Sequence, residues 1–211
     1  METKHLELLQ TAIADVGGWN WWGEGFPERF QVEFVATQFW LGEGGPGEPP
    51  VSQLALRFLD PVSVSFLSGR GAEEDWPRRM AADQLEPFVC DCDRFHLVDG
   101  VAMERCIREA AGVETVLGCP PLDPAFFAAP ARLVFWAGPL GLAVAAREML
   151  PVAMTGALTG EELETANEKW WAYWQEYWKR RESSSPLPRD YGCEVTIPAG
   201  RHRLGKERNK K

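Results

Sequence analysis

The sequence predicts an α+β fold: a single domain in which an antiparallel sheet is covered by a long C-terminal aromatic helix and by shorter helices. Residues 159–181 combine helix-end signals with an apolar stripe, and parts of residues 30–67 alternate apolar with polar side chains as strands do. The chain has 211 residues, 45% of them hydrophobic and 25% charged, which suits one globular domain. We place that domain at residues 1–200 and expect residues 201–211 to form a basic flexible tail.

The long helix has clear signals at both ends. Thr159 and Glu162 have the spacing of a capping box, which satisfies two backbone donors at a helix start. Glutamates fill the first turn and basic residues fill the last, as the helix dipole favours. Helical spacing places one apolar stripe on the helix: Leu163, Ala166, Trp170, Trp174 and Tyr177, widened by Trp171 and Trp178. The stripe predicts that Trp174 is buried in the core.

The same aromatic face has a second interpretation, as a surface that binds another protein. Tryptophan and tyrosine anchor many protein interfaces. The helix carries more aromatic rings than a narrow buried stripe requires, the additional ones being Trp171, Tyr173 and Trp178. The two interpretations are therefore partly compatible.

At the N-terminus, residues 3–16 predict a helix that ends at Gly17-Gly18. A glycine-rich loop is expected next, and it contains Trp19, Trp21 and Trp22. These three rings are interpreted either as a platform on which a sugar or base stacks or as a lid that closes the core.

The sheet is predicted from three stretches joined as a meander. Phe30–Leu41 alternates, but its apolar parity changes, which indicates a bulge or a second half buried on both faces. Residues 53–58 and 62–67 also alternate, with a turn expected at Asp60-Pro61. Residues 42–50 form the loop between the first two strands.

The second half of the chain is a mixture of short elements. The patterns predict an irregular segment at 69–87, a strand at 88–98 and a helix at 101–111. Further along they predict a loop or an internal boundary at 118–130, a buried strand or a helix turn at 133–136, and a helix at 142–150. Met103, Cys106 and Ile107 are expected on the inner face of the middle helix.

Charge and cysteine content narrow the possible partners and compartment. The net charge is −9, but residues 201–211 carry about +5, which leaves the body near −14. An acidic body disfavours nucleic acid or an anionic membrane as the main partner. The N-terminus has no apolar signal region, and the longest apolar stretch is too short to span a bilayer. Five cysteines without a regular framework favour a reducing cytoplasm.

The densest cluster of chemically able side chains lies at Cys90–His96. On a strand, Asp91 and Asp93 share one face and the two cysteines share the other, so one metal ion could not readily use all four. Zinc sites also space their cysteines by two to four residues. We therefore predict no metal site and no cofactor. A hydrolytic site built on Asp91, Asp93 and His96 is the sharpest enzyme hypothesis.

Two functions follow from these observations. The first is a non-catalytic protein-binding module, of the inhibitor or immunity type, whose binding residues are Trp19, Trp21, Trp22, Trp171 and Trp178. The alternative is a small hydrolase or ligand-binding enzyme that uses Asp91, Asp93, His96 and the Trp19–Trp22 loop. No nucleophile elbow and no phosphate-binding loop occurs in the sequence, which favours the first.

Overall fold

The computed structural model describes residues 1–13, 17–22, 26–44, 50–69, 88–91, 94–138 and 140–183, with the backbone alone at 17–22 and 88–91. The helices are α1 (Thr3–Ile13), α2 (Gly100–Arg108), α3 (Pro124–Ala128) and α4 (Gly160–Glu182). The strands are β1 (Gly17–Trp22), β2 (Arg29–Phe34), β3 (Leu54–Ser68), β4 (Phe88–Asp91), β5 (Arg94–His96), β6 (Gly112–Gly118), β7 (Ala131–Ala137), β8 (Leu140–Ala153) and β9 (Gly156–Ala157). The predicted α+β class is confirmed.

The nine strands of the described residues belong to one antiparallel sheet. Its order is β4-β1-β2-β3-β8-β7-β5, while β6 pairs with β3 and β9 pairs with β8. The two strands at the ends of this order, β4 and β5, are separated by only two residues of sequence. Three Cα–Cα steps span at most about 11 Å, so the two ends of the sheet must lie near each other. The sheet is therefore curled like a barrel.

Aromatic contacts inside the sheet show the same curvature. Phe34 of β2 lies 5.4 Å from Phe95 of β5 and 5.8 Å from Phe135 of β7, measured between ring centroids. In a flat sheet β2 and β5 would be about 19 Å apart, because four strand spacings separate them. The concave face thus encloses the main core, to which α1 and the first half of α4 add Leu9, Ile13, Leu163 and Ala166.

A second core lies on the outer face of β7 and β8. Leu133 and Phe135 point into the curled sheet, whereas the alternate residues Val134 and Trp136 belong to the outer core. The outer core also contains Met103, Cys106 and Ile107 of α2, the inward residues that the sequence predicts, and Phe126 of α3. These two strands are consequently apolar on both faces.

The helix predicted at residues 142–150 is wrong, because this segment is the middle of β8. A strand covered on both faces has no apolar alternation and resembles a short buried helix in sequence. Pairing with β3 on one side and β7 on the other decides its conformation.

The prediction of a turn at Asp60-Pro61 is also wrong, since both residues lie inside β3, a continuous strand of 15 residues. Asp60 has a φ of 46°, and Val62 is an extra residue between the pairs Pro61–Ala146 and Ser63–Ala145. The polar pair marks a bulge that bends one long strand. The predicted meander therefore has one strand too many.

The segment predicted as a strand at Phe30–Leu41 is a strand only in its first half. β2 ends at Phe34, and the change of parity reflects that end, with Val35 exposed.

The prediction of a glycine-rich loop around Trp19–Trp22 is wrong, because the backbone of these residues forms β1 and pairs with β2. The irregular segment expected at 69–87 and the tail at 201–211 fall outside the described residues, apart from Gly69.

The remaining elements agree more closely with the sequence. The first helix ends at Ile13, the strand expected at 88–98 appears as β4 and β5, and α3 lies within the proline-rich loop. The capping box of α4 is present: the Thr159 hydroxyl accepts from the Glu162 amide at 3.2 Å, and the Glu162 carboxylate accepts from the Thr159 amide at 2.7 Å. None of the helices in the described part of the chain is long and apolar enough to cross a membrane.

Candidate functional site

The second half of α4 carries a cluster of aromatic side chains, here called the α4 aromatic cluster. It consists of Trp170 and Trp174, each 1% exposed, and of half-buried residues packed against them: Trp40, Trp171, Tyr173, Tyr177 and Trp178. Six of the seven belong to the helix, where spacings of three and four residues bring neighbouring rings together. The predicted burial of Trp174 is confirmed.

Trp174 is the centre of the cluster. Its ring centroid lies 5.0 Å from that of Tyr173, 5.2 Å from Tyr177 and 5.6 Å from Trp170, all in edge-to-face geometry. Such aromatic pairs add about 0.5–1.5 kcal/mol each beyond the burial of their area. The half-exposed rings are therefore held by a rigid centre.

Cations lie on the rings at both ends of the cluster. The Lys169 Nζ sits 4.6 Å from the centroid of Trp40 and 3.2 Å from the Glu43 carboxylate. The Arg181 guanidinium sits 5.1 Å from the centroid of Trp178. Because cation–π contacts favour one ring orientation, both end rings are oriented as well as packed.

Three indole N–H groups of the cluster are buried and have no hydrogen-bond acceptor in the described structure. They belong to Trp170, Trp174 and Trp178, which follow one another at four-residue intervals on one face of α4. A buried donor without an acceptor costs about 1–3 kcal/mol, and buried tryptophans usually find an acceptor. The buried N–H of Trp136 in the outer core likewise has no acceptor among the described groups, so this feature is not specific to the cluster.

The binding residues predicted from the sequence are brought together only in part. Trp171 and Trp178 belong to the α4 aromatic cluster. Trp19, Trp21 and Trp22 have their backbone in β1, while their side chains lie outside the described residues. Trp40 was missed, because it is remote in sequence and joins the cluster through its amide, which donates to the Ala166 carbonyl at 3.0 Å.

His96, the histidine of the hydrolytic hypothesis, lies on β5 opposite Val134. Its Nδ1 atom is buried and has no partner among the described groups. Burial holds the pKa of His96 below its usual value, with Arg94 acting in the same direction and Asp99 opposing both. The side chains of Asp91 and Asp93 are not among those the structure describes, so the hydrolytic site stays a prediction.

Asp99, three residues after His96, already has a structural role. Asp99 caps α2, and its side chain accepts from the amides of Val101 and Ala102 at 3.0 Å each. Within the described ranges, no group of three or more His, Cys, Asp or Glu residues is placed to hold a metal ion.

A groove of about 520 Å³ lies where the N-terminal ends of α1 and α4 meet β7 and β8. His5 lines it and is nevertheless 7% exposed, with its Nε2 atom 3.1 Å from a Glu164 carboxylate oxygen. The Lys4 Nζ is 2.9 Å from the same oxygen. Nothing in the sequence indicates this junction, because His5 and Glu164 are 159 positions apart.

The ion pairs at this junction favour the charged carboxylate. The hydrogen bond from Lys4 lowers the pKa of Glu164, and the charges of Lys4 and His5 act in the same direction, against an opposing effect of desolvation. Two helices are thus joined through one ionised side chain.

No protein-family model, no curated protein and no solved structure matches the chain.

Proposed function

We propose that the chain is a non-catalytic protein-binding module of the inhibitor or immunity type, and that the α4 aromatic cluster is its binding surface. The observation that carries this proposal is the set of half-exposed rings that continues outward from the buried pair Trp170 and Trp174. We also propose that the module acts in the cytoplasm, as its cysteine usage favours.

The composition of the surface supports this function. Tryptophan, tyrosine and arginine are the residues that most often dominate binding energy at protein interfaces. Trp171, Tyr177 and Trp178 offer large contact areas, and Arg181 lies against the last of these rings. Side chains that are already packed lose little conformational entropy when a partner binds.

The experiment is a comparison of partner capture by the immobilised full chain and by a Trp171→Ala, Trp178→Ala variant, using extract from the cells that produce the protein. We expect the variant to lose about 30-fold in affinity for the captured partner, which corresponds to about 2 kcal/mol for a hot spot. Val101→Ala with Leu122→Ala is the matched control, because both residues are exposed and apolar but lie outside the cluster. Equal capture by the aromatic variant, or no partner captured by the wild-type chain, contradicts the proposal.

The alternative is a small hydrolase or ligand-binding enzyme that uses Asp91, Asp93, His96 and the Trp19–Trp22 segment. Burial lowers the pKa of His96, whose buried Nδ1 has no partner among the described groups, and this favours a neutral imidazole. Hydrolysis of a panel of carboxyl and phosphoryl esters tests this alternative, and activity lost in His96→Asn without loss of folding would support it.

A further inference from the structure

Strand β6 is an edge strand with an exposed surface. It pairs with the Ser63–Ser68 half of β3, along the edge that β2 leaves free after Leu59. Among the described residues no other strand pairs with β6. Val113 and Val116 are 48% and 49% exposed, although both are apolar and β-branched.

Natural proteins usually protect such an edge, because its free amide and carbonyl groups can pair with another chain. In β6 this protection is limited to one charged residue and one bulge. Its only charged residue is Glu114, and it contains neither lysine nor proline. Val116 is the extra residue of a bulge between the pairs Ser65–Thr115 and Val64–Leu117.

We propose that β6 is a dimerisation edge, which pairs antiparallel with β6 of a second copy and joins the two sheets across a two-fold axis. An antiparallel strand pair satisfies the requirement that a two-fold interface be complementary to itself. Main-chain hydrogen bonds hold the two copies together, and exposed valines of both copies become covered.

The sequence of β6 is compatible with pairing to β6 of a second copy in one particular register. Pairing about Thr115 places the Glu114 residues of the two copies on opposite sides of the two-fold axis, so they are not cross-strand partners. No two carboxylates face each other in that register, whereas pairing about Glu114 would oppose them directly, which is unfavourable. Thr115 is held in place by a hydrogen bond of 3.1 Å between its hydroxyl and that of Ser65.

Charge predicts how the dimer responds to salt. Each copy carries a formal charge of −9, so two copies repel one another as they approach. Salt screens this repulsion, because the Debye length shortens from about 30 Å at 0.01 M to about 8 Å at physiological ionic strength. The main-chain pairing itself contains one carboxylate per strand and is little affected. Dimerisation is therefore stronger at physiological than at low ionic strength.

The test is sedimentation equilibrium of the full chain over a wide range of concentration. We expect the average mass to rise to twice the monomer mass, and a Val113→Lys, Val116→Lys variant to stay monomeric because lysines block an edge strand. Val35→Lys is the matched control, since Val35 is 49% exposed but lies in the segment after β2, and it keeps the dimer. A wild-type chain that stays monomeric throughout overturns the proposal, as does a lysine variant that dimerises normally.

Amide hydrogen exchange identifies the contact itself. Slower exchange of the β6 amides at high protein concentration supports the proposal, because pairing supplies them with acceptors. A dimer whose β6 amides exchange at the monomer rate overturns it and assigns the contact to another surface, the α4 aromatic cluster included.

Discussion

The imidazole ring of His5 lies against Gly160 and fills the space that a side chain at position 160 would need. A Cβ atom at position 160 would lie closer than 3.0 Å to three atoms of the imidazole ring. The same ring contacts Glu164 one turn further along α4, so α1 rests on the first two turns of that helix. This contact positions the helix that carries the α4 aromatic cluster.

Gly160→Ala is therefore expected to destabilise the protein. The new methyl group must displace His5 or shift α4, and overpacking of this kind costs about 1–3 kcal/mol. The free energy of unfolding from denaturant melts is the measurement. Gly100→Ala is the control: Gly100 begins α2, a Cβ there meets nothing within 4 Å, and the change should be neutral or slightly stabilising. Equal effects of the two substitutions would contradict the packing argument.

Trp174→Ala should destabilise by about 3–5 kcal/mol, as truncation of a buried aromatic residue does. The ring is 1% exposed and touches three other rings of the cluster. Chemical denaturation provides the value, and Val101→Ala on the surface of α2 should change it by less than about 0.5 kcal/mol. A loss below about 1 kcal/mol for Trp174→Ala would show that this ring contributes little to the core.

Acid should weaken the contact between α1 and α4. Because the pKa of Glu164 is lower in the folded chain than in the unfolded one, its contribution is fully present above the unfolded value of about 4.3. That contribution is lost as the pH falls through the lower folded value. Glu164→Gln removes it, so stability should depend less steeply on pH below about 5 in the variant. Glu148→Gln is the control, since Glu148 forms no ion pair with any described residue; an unchanged slope in Glu164→Gln would refute this assignment.

We expect no tightly bound zinc. Cysteine and aspartate alternate in the sequence at positions 90–93, and on a strand this pattern would direct the potential ligands to opposite faces, which does not suit a single tetrahedral ion. Elemental analysis of protein purified without chelators or metal-affinity steps tests this expectation. One equivalent of zinc that disappears in Cys92→Ser would show it to be wrong.

Deletion of residues 201–211 should leave the melting temperature almost unchanged at physiological salt. The segment contains six basic residues and only one large apolar residue, Leu204, so it has little to contribute to a core. Its attraction to the acidic body is screened beyond about 8 Å at that ionic strength. Loss of folding on truncation would place the segment within the domain, and salt-sensitive binding of nucleic acid that requires it would reveal a further partner.

Local signals in the sequence were sufficient for α1, α2 and α4, although they missed α3 and predicted a helix where β8 lies. Thr159 and Glu162 are three residues apart, and the stripe through Trp170 and Trp174 repeats within single turns, so the start and the buried face of α4 could both be predicted. The inward face of α2 follows from the same short-range periodicity. For the candidate site, this was enough to find six of the seven rings but not Trp40, which reaches them from a distant loop.

The tertiary structure alone decided the course of the sheet. Ala143 and Ala145 have neighbours of similar character on both faces, so their sequence does not distinguish a strand from a helix; pairing with β3 and β7 does. In sequence Asp60-Pro61 is typical of a turn, but β8 pairs with β3 on both sides of it, so the strand continues. The curvature that brings Phe34 to Phe95 likewise depends on strands that are distant in sequence. A helix satisfies its backbone hydrogen bonds within a few residues, whereas a strand satisfies them with partners that only the folded chain provides.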